Sequence, residues 1–371
     1  MKKVNFIFKK GLQKRKYVLK YKRKKGDNTM NVGENLKRIR LIKSLSLKEA
    51  SDLLKMSTTA ISKYEKGVWK LNSEKLIKCA KAYDVKVIDL IPTEMPCELQ
   101  FTAFRKKSRL TGEKLLLLKD IIRKEVSKNI EVIKFNQSNV LNIQKFNCDS
   151  LEEAEQVALK VRLEMLKISD IQPLHNMTDI LENLGIVIVY IDNVNNKFSD
   201  FDGLSEIVEG IPVIVLLKQN DGARLRFTLA HEFAHLLLNI NSSEEEKICD
   251  RFASSLLMPK NAIINEFGIK RNRITLKELE YFKNEYKVNY SAIIYRLQDL
   301  EILTPSSAKN LYIIVNKKYK DDDPVLIIPE ISNQFKKIVY KLEASDIITI
   351  GRASELLGIT IDEYLAENSY N

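Results

Sequence analysis

Residues 229–238 read LAHEFAHLLL, which places two of the chain's three histidines four positions apart around a glutamate. Random placement of 3 histidines and 49 acidic residues in 371 positions gives on the order of 0.003 matches to H-[DE]-x-x-H, so the arrangement needs a chemical reason. Residues four apart share one face of a helix. His231 and His235 can therefore aim two imidazoles at a single ion, with Glu232 about 100° round the helix from His231 and close to a water on that ion. Catalytic zinc takes three protein ligands and keeps one position open for water or substrate. It lowers the pKa of that water, Glu232 takes the proton, and a peptide carbonyl is attacked. The spacing predicts a peptidase helix, with Zn2+ as cofactor and Glu232 as general base.

A third ligand is required. A metzincin would carry histidine six residues after His235, but Asn241 stands there. The remaining histidine, His175 in IQPLHNM, reads as a loop residue. A carboxylate is left. SSEEEKICDRFASSLLMP, residues 242–259, predicts a second helix capped by Ser242 or Ser243, with Cys249, Phe252, Ala253, Leu256 and Leu257 as its apolar stripe. Glu245 and Glu246 flank that stripe about equally and Glu244 points away, so periodicity alone does not choose between the two. Asp250, four residues after Glu246, can accept the second N–H of a metal-bound histidine. That placement favours Glu246 as ligand and Asp250 as its supporting partner.

Upstream, SLEEAEQVALKVRLEML predicts a helix capped by Ser150, and TDILENLG a shorter one ending at Gly185. IVIVYID and IPVIVLL read as β-branched buried strands, with FDGLSE as a turn between them. These strands are expected to form a small sheet backing the histidine helix.

RFTLAHEFAHLLL followed by EKICDRFASSLLMP resembles the ImmA/IrrE family of zinc metallopeptidases, and LENLGIVIVYI and FDGLSE fit the same family. The resemblance implies His231, His235 and Glu246 as zinc ligands and Glu232 as base. It also implies a role in cleaving or disabling repressors. Cys249 stands where alanine is usual; its thiol reads as inert packing, with an oxidisable group beside the metal as the alternative.

Residues 31–91 have a different pattern. Leu36, Ile39 and Ile42 mark one helical stripe; Ser46 caps a second helix with Ala50, Leu53 and Leu54. Ser57 caps a third, TTAISKYEK, ending at Gly67, and Ser73 opens a fourth with Leu76, Ile77 and Ala80. LKRIR, LSLKEAS and STTAISKYEKG resemble the lambda-repressor-like, XRE-type DNA-binding domain. The resemblance puts the third helix in the major groove, with Thr58, Thr59, Ser62 and Lys63 as base-edge contacts. Leu47 replaces the glutamine that many members use on a phosphate.

The net charge of +12 is concentrated at one end. Residues 1–30 carry 12 Lys/Arg and one acid, Asp27, which leaves about +1 for the rest. A basic arm grips phosphates without reading sequence. The expectation adopted is the plainer one: Met30 is the start, and the extension is seldom or never translated. Four scattered cysteines form neither a disulfide framework nor a thiolate metal site, and no apolar run is long enough to span a bilayer. The protein is expected to be cytoplasmic.

Between the two patterned regions, Pro92 and Pro96 break the helical pattern. Residues 104–135 then read as a long basic helix with leucines on one side, a solvated arm packing against the next domain in preference to a partner-binding or dimer helix, and 136–149 are polar and unpatterned. After residue 303, NLYIIVN and PVLIIPEI read as short strands around a charged turn, and SDIITIGRASELLGITIDEYLAE as a pair of short helices.

The expected fold is multidomain: an all-α helix-turn-helix bundle, then an α+β zincin-like metallopeptidase domain and a small C-terminal α/β tail. The expected boundaries are 1–30 (basic extension), 31–92 (DNA reader), 93–150 (helical connector), 151–303 (metallopeptidase) and 304–371 (interaction region). Expected partners are double-stranded DNA and a protein substrate, either a repressor or the product of a neighbouring gene. A homodimer is left open, and no membrane partner is expected. Two functions compete: a DNA-binding regulator that uses zinc to cut a partner, and a non-proteolytic regulator whose peptidase-like domain senses or docks one.

Overall fold

The structure is a computed structural model that describes residues 32–85, 87–90, 99, 101, 112–136, 140–193, 196–319 and 323–368. The basic extension and the prolines at 92 and 96 lie outside the described residues.

Four short helices form the first unit: α1 (Val32–Ile42), α2 (Leu47–Leu54), α3 (Thr58–Glu65) and α4 (Ser73–Tyr83). Their starts follow capping chemistry. Ser46 and Glu49 make a reciprocal capping box and Ser57 Oγ accepts from the Ala60 amide; the fourth helix opens at Ser73 as expected, with Asn72 as its cap. Leu36, Ile39, Ala50, Leu54, Ile61 and Tyr83 fill the core. Arg40 is buried against Glu65 through two bonds of 2.6 and 3.0 Å, and a third Arg40 N–H donates to the Leu45 carbonyl. A fork-to-carboxylate pair satisfies both charges where water cannot.

The long basic helix α5 (Gly112–Asn136) packs against the next domain as expected, through a buried apolar face. Leu117, Leu118, Ile122, Val126 and Ile130 are buried against the sheet described below. The α1 helix docks on this assembly through Leu41 and Ile42, through a 2.8 Å Lys37–Glu113 pair, and through Lys197, whose ammonium donates to the last carbonyls of α1, Leu41 and Ile42. A cation at a helix C-terminus complements its dipole.

A short β1 (Phe146–Asn147) leads to α6 (Leu151–Lys160), which opens with the expected Ser150 cap, here a full capping box with Glu153. Its end widens into a π turn at Val161–Met165 that carries Arg162 into the core. Helix α7 (Met177–Asn183) precedes β2 (Val187–Ile191). FDGLSE is not a turn. It begins β3 (Gly203–Val208), which folds back on β4 (Ile211–Leu217) through Glu209 and Gly210, both at positive φ. The sheet runs β2-β4-β3, with β2 parallel and β3 antiparallel to the fully buried β4.

On one face of the sheet lies α5. On the other lies α8 (Gly222–Leu237), the histidine helix, which ends in β5 (Leu238–Asn239), parallel to β1. Next comes α9 (Glu245–Leu257), whose N-cap is Glu244; Ser242 acts one step earlier, its Oγ accepting from the Glu244 amide. The predicted stripe from Cys249 to Leu257 is buried against α6 and α8. Two buried arginines hold the far end of α9. Arg162 donates to Leu256 O at 2.6 Å, and Arg296 donates to Met258 O while pairing with Glu155 and Asp299.

The remainder is helical: α10 (Lys260–Phe267), α11 (Leu276–Tyr286), α12 (Tyr290–Asp299), α13 (Pro305–Tyr319), α14 (Gln334–Ala344), α15 (Ile350–Leu357) and α16 (Ile361–Asn368). NLYIIVN, expected as a strand, lies inside α13, because Ala308, Leu311, Val315 and Tyr319 form a buried helical stripe. PVLIIPEI is extended but pairs with no strand among the described residues; Pro324 and Pro329 lack the N–H a ladder needs. It crosses the start of α8 as a strap. Ile327 O accepts from the Gly222 amide at 3.0 Å, Glu330 pairs with the buried Arg226, and Glu330 also accepts from the Thr178 amide. A Cβ on Gly222 would lie 2.5 Å from Ile327 O, so only glycine lets the strap pass this close. The described part of the tail therefore holds helices and no strand.

Candidate metal centre

His231 and His235 are one turn apart on α8, and their Nε2 atoms stand 3.1 Å from each other. Glu246, in the first turn of α9, completes a triangle, with carboxylate oxygens 3.3 Å from His231 Nε2 and 3.7 Å from His235 Nε2. Zinc bonds of about 2.0–2.2 Å arranged tetrahedrally hold neighbouring donor atoms about 3.3–3.6 Å apart. The three observed edges bracket that spacing, and two imidazoles with one carboxylate are donors that zinc accepts. The residues present fit the ion.

Each histidine also has a carboxylate behind it. His231 Nδ1 lies 2.7 Å from Asp250 Oδ1, and His235 Nδ1 lies 3.4 Å from Glu245 Oε1 with Cys249 Sγ at 3.6 Å. An N–H directed at a carboxylate leaves the neutral ring's lone pair on Nε2, which here faces the shared point. Periodicity left Glu245 and Glu246 as equals. Their places differ because one residue is 100° of helix turn: Glu246 reaches the Nε2 pair, and Glu245 reaches the back of His235.

Glu232 is 3% exposed, and its Oε2 accepts a 2.9 Å bond from Ser205 Oγ on β3. The sequence reading missed Ser205 because it took FDGLSE for a turn. The available signal was SEIV, which keeps extended geometry up to the Glu209–Gly210 reversal. His175 lies exposed in the loop before α7, away from this cluster. Cys249 is buried beside His235.

On the DNA-reading side, Thr58 and Thr59 are exposed at the start of α3, and Ser62 and Lys63 are half-buried on its next turn. Lys63 Nζ sits 4.6 Å from the centroid of Trp69, whose ring stands edge-on to Tyr64. Leu47, at the head of α2, is half-buried against the bundle core.

Residues 181–298 match the family model of the IrrE N-terminal-like domain, a peptidase M78 family, and residues 36–90 match the helix-turn-helix model. The chain carries an IrrE-like domain behind a helix-turn-helix domain. The fusion and its order are those expected from the motifs. No curated protein matches the chain. Among solved structures, PlcR of Bacillus thuringiensis in complex with the peptide PapR7 and DNA aligns over 91% of this chain and 95% of that one, at 11% identity and a TM-score of 0.16. The SHP pheromone receptor Rgg2 of Streptococcus dysgalactiae aligns over 91% and 100%, at 14% identity and a TM-score of 0.15. ComR of Streptococcus suis aligns over 92% and 97%, at 12% identity and a TM-score of 0.16. Scores this low carry no weight for fold or function. Among the described residues no helix is long and apolar enough to cross a membrane.

Proposed function

We propose that the chain is a cytoplasmic, DNA-binding transcriptional regulator whose IrrE-like domain is a zinc-dependent endopeptidase of narrow range, cutting a repressor or toxin-related partner. The observation that carries this reading is the company Glu232 keeps. A buried carboxylate held by Ser205 follows directly on His231 of the His231, His235 and Glu246 cluster. A domain that only docks a partner has no use for that carboxylate.

In this reading His231, His235 and Glu246 hold the ion, while Asp250 and Glu245 keep the two rings turned toward it. When bound, zinc supplies Lewis acidity toward a peptide carbonyl and a lowered pKa for water. Glu232 takes the proton of the attacking water on its carboxylate and passes it to the departing amine nitrogen. Its burial keeps competing water from that carboxylate. Thr58, Thr59, Ser62 and Lys63 read the operator.

Glu232→Gln tests the proposal. It keeps the shape and removes the base, so zinc and DNA binding persist while cleavage drops by about 10²–10⁴-fold. Expressing the variant with the products of neighbouring genes and following their sizes by immunoblot identifies the substrate as the protein that stays intact. A regulatory response identical to wild type under every stimulus would overturn proteolysis in favour of the docking reading.

A further inference from the structure

The edge strand β3 alternates its side chains between two faces. Leu204 and Val208 point to the α5 side and join its apolar cluster, while Gly203 and Ser205 point to α8, where both meet Glu232. At Ser205 the contact is a hydrogen bond to Oε2. At Gly203 it is an absence of bulk: a Cβ there would lie 3.1 Å from Glu232 Cγ, 2.9 Å from Leu216 Cδ2 and 3.0 Å from Val215 O. The backbone at Gly203 is not in the left-handed region, so no turn geometry demands glycine. What demands it is first the neighbouring strand β4, through Leu216 and the Val215 carbonyl, and then the stem of Glu232.

We infer that Gly203 and Ser205 are positioning residues for Glu232, one leaving room for its stem and the other tethering its carboxylate. The inference rests on the proposed role of Glu232 as base. A glutamate has three rotatable side-chain bonds, and a base that swings through its rotamers spends little time within reach of the attacking water. Displacement of a reacting group by about 1 Å costs about 10²-fold in rate. Holding Oε2 through Ser205 aims the carboxylate without placing a charge beside it, whereas a lysine or arginine there would compete with the proton Glu232 has to collect.

Two double-mutant cycles on the full-length chain test this. The first is kinetic and uses the protein whose cleavage depends on Glu232. Ser205→Ala is expected to lower kcat about 10–100-fold with KM and zinc content unchanged, and Ser205→Thr, which keeps the hydroxyl, to recover to within about threefold of wild type. Gly203→Ala is expected to lower kcat in the same way. Adding Ser205→Ala to Glu232→Gln is expected to cost nothing further, since the tether has lost its object. A full additional loss in the double variant, or equal rates for Ser205→Ala and wild type, overturns the inference.

The second cycle needs no activity. Urea midpoints of the metal-free chain are compared for wild type, Ser205→Ala, Glu232→Ala and the double variant. Coupling predicts that the two single shifts sum to more than the shift of the double variant, and simple additivity overturns the contact. If wild type cuts no partner, the peptidase reading fails on its own and this second cycle alone judges the positioning of Glu232.

Discussion

The carboxylate behind His231 gives a graded perturbation of the metal centre. Asp250 does two things to the ring: it accepts the Nδ1–H at 2.7 Å, fixing the tautomer, and it places a negative charge that makes Nε2 a better donor. Asp250→Asn retains an oxygen that can accept the same N–H, so orientation survives and the charge is lost. Asp250→Ala loses both. Removing such a partner costs about 10–100-fold in metal affinity. The Asp250 side chain is 57% exposed, so solvent screens much of its charge, and the purely electrostatic loss belongs at the low end. The expected zinc dissociation constants therefore rise about tenfold for Asn and about 100-fold for Ala. Competition against a fluorescent zinc chelator at constant pH measures both, and circular dichroism checks that α8 and α9 remain helical. Equal affinities for wild type and Asp250→Ala would refute the reasoning. So would an Asn variant as weak as the Ala variant, because orientation would then carry no share of the effect.

The third ligand is separable from its neighbour: Glu246→Gln is expected to lose most bound zinc, whereas Glu245→Gln, behind His235, keeps it with a modest loss of affinity, as elemental analysis of the purified variants will read. Burial pushes the Glu182 carboxyl up to about 7, from an ordinary value of 4.5. A raised folded pKa means that the stability contributed by the neutral form is complete below about 4.5 and is lost as pH rises through about 7, so the thermal midpoint should fall between pH 5 and pH 8. Glu182→Gln should flatten that part of the profile. For the DNA reader, replacing Thr59 and Lys63 with alanine is expected to abolish preference for the operator over random DNA in gel-shift competition. Deleting residues 1–29 is expected to leave that preference intact.

The motif on α8 and the stripe on α9 were legible because each is a local helical pattern: spacing of three and four, read in one window. The caps at Ser46, Ser57 and Ser150 were legible for the same reason. What failed was non-local. The strand β3 lacks an alternating apolar signal because its α8 face is given to Gly203 and Ser205, residues chosen by Glu232 nearly thirty positions later. The β-branched run in NLYIIVN looks like strand, yet Pro305 at the first helical position and the stripe from Ala308 to Tyr319 decide for helix once those residues find a core. That α5 packs on the next domain was legible from its leucines; how much of the helix is covered was not, because the sheet that covers them is not visible in its own sequence. Glu245 and Glu246 could not be ordered from periodicity because the choice depends on where the histidines stand, not on α9 alone.

The strap over α8 sets an order of events during synthesis. When the ribosome has completed α9, every candidate ligand has been made, but Ile327 and Glu330, which close the start of the histidine helix, have not. Until they arrive the Gly222 amide has no carbonyl from the strap and the buried Arg226 has no carboxylate. An uncompensated buried charge costs about 3–5 kcal/mol. The histidine helix is therefore latched only by residues made after α13, and a nascent or nicked chain ending after α13 carries every candidate ligand on an unlatched helix. A few residues of the strap, outside the candidate ligand set, thus tie the integrity of that helix to the presence of the tail.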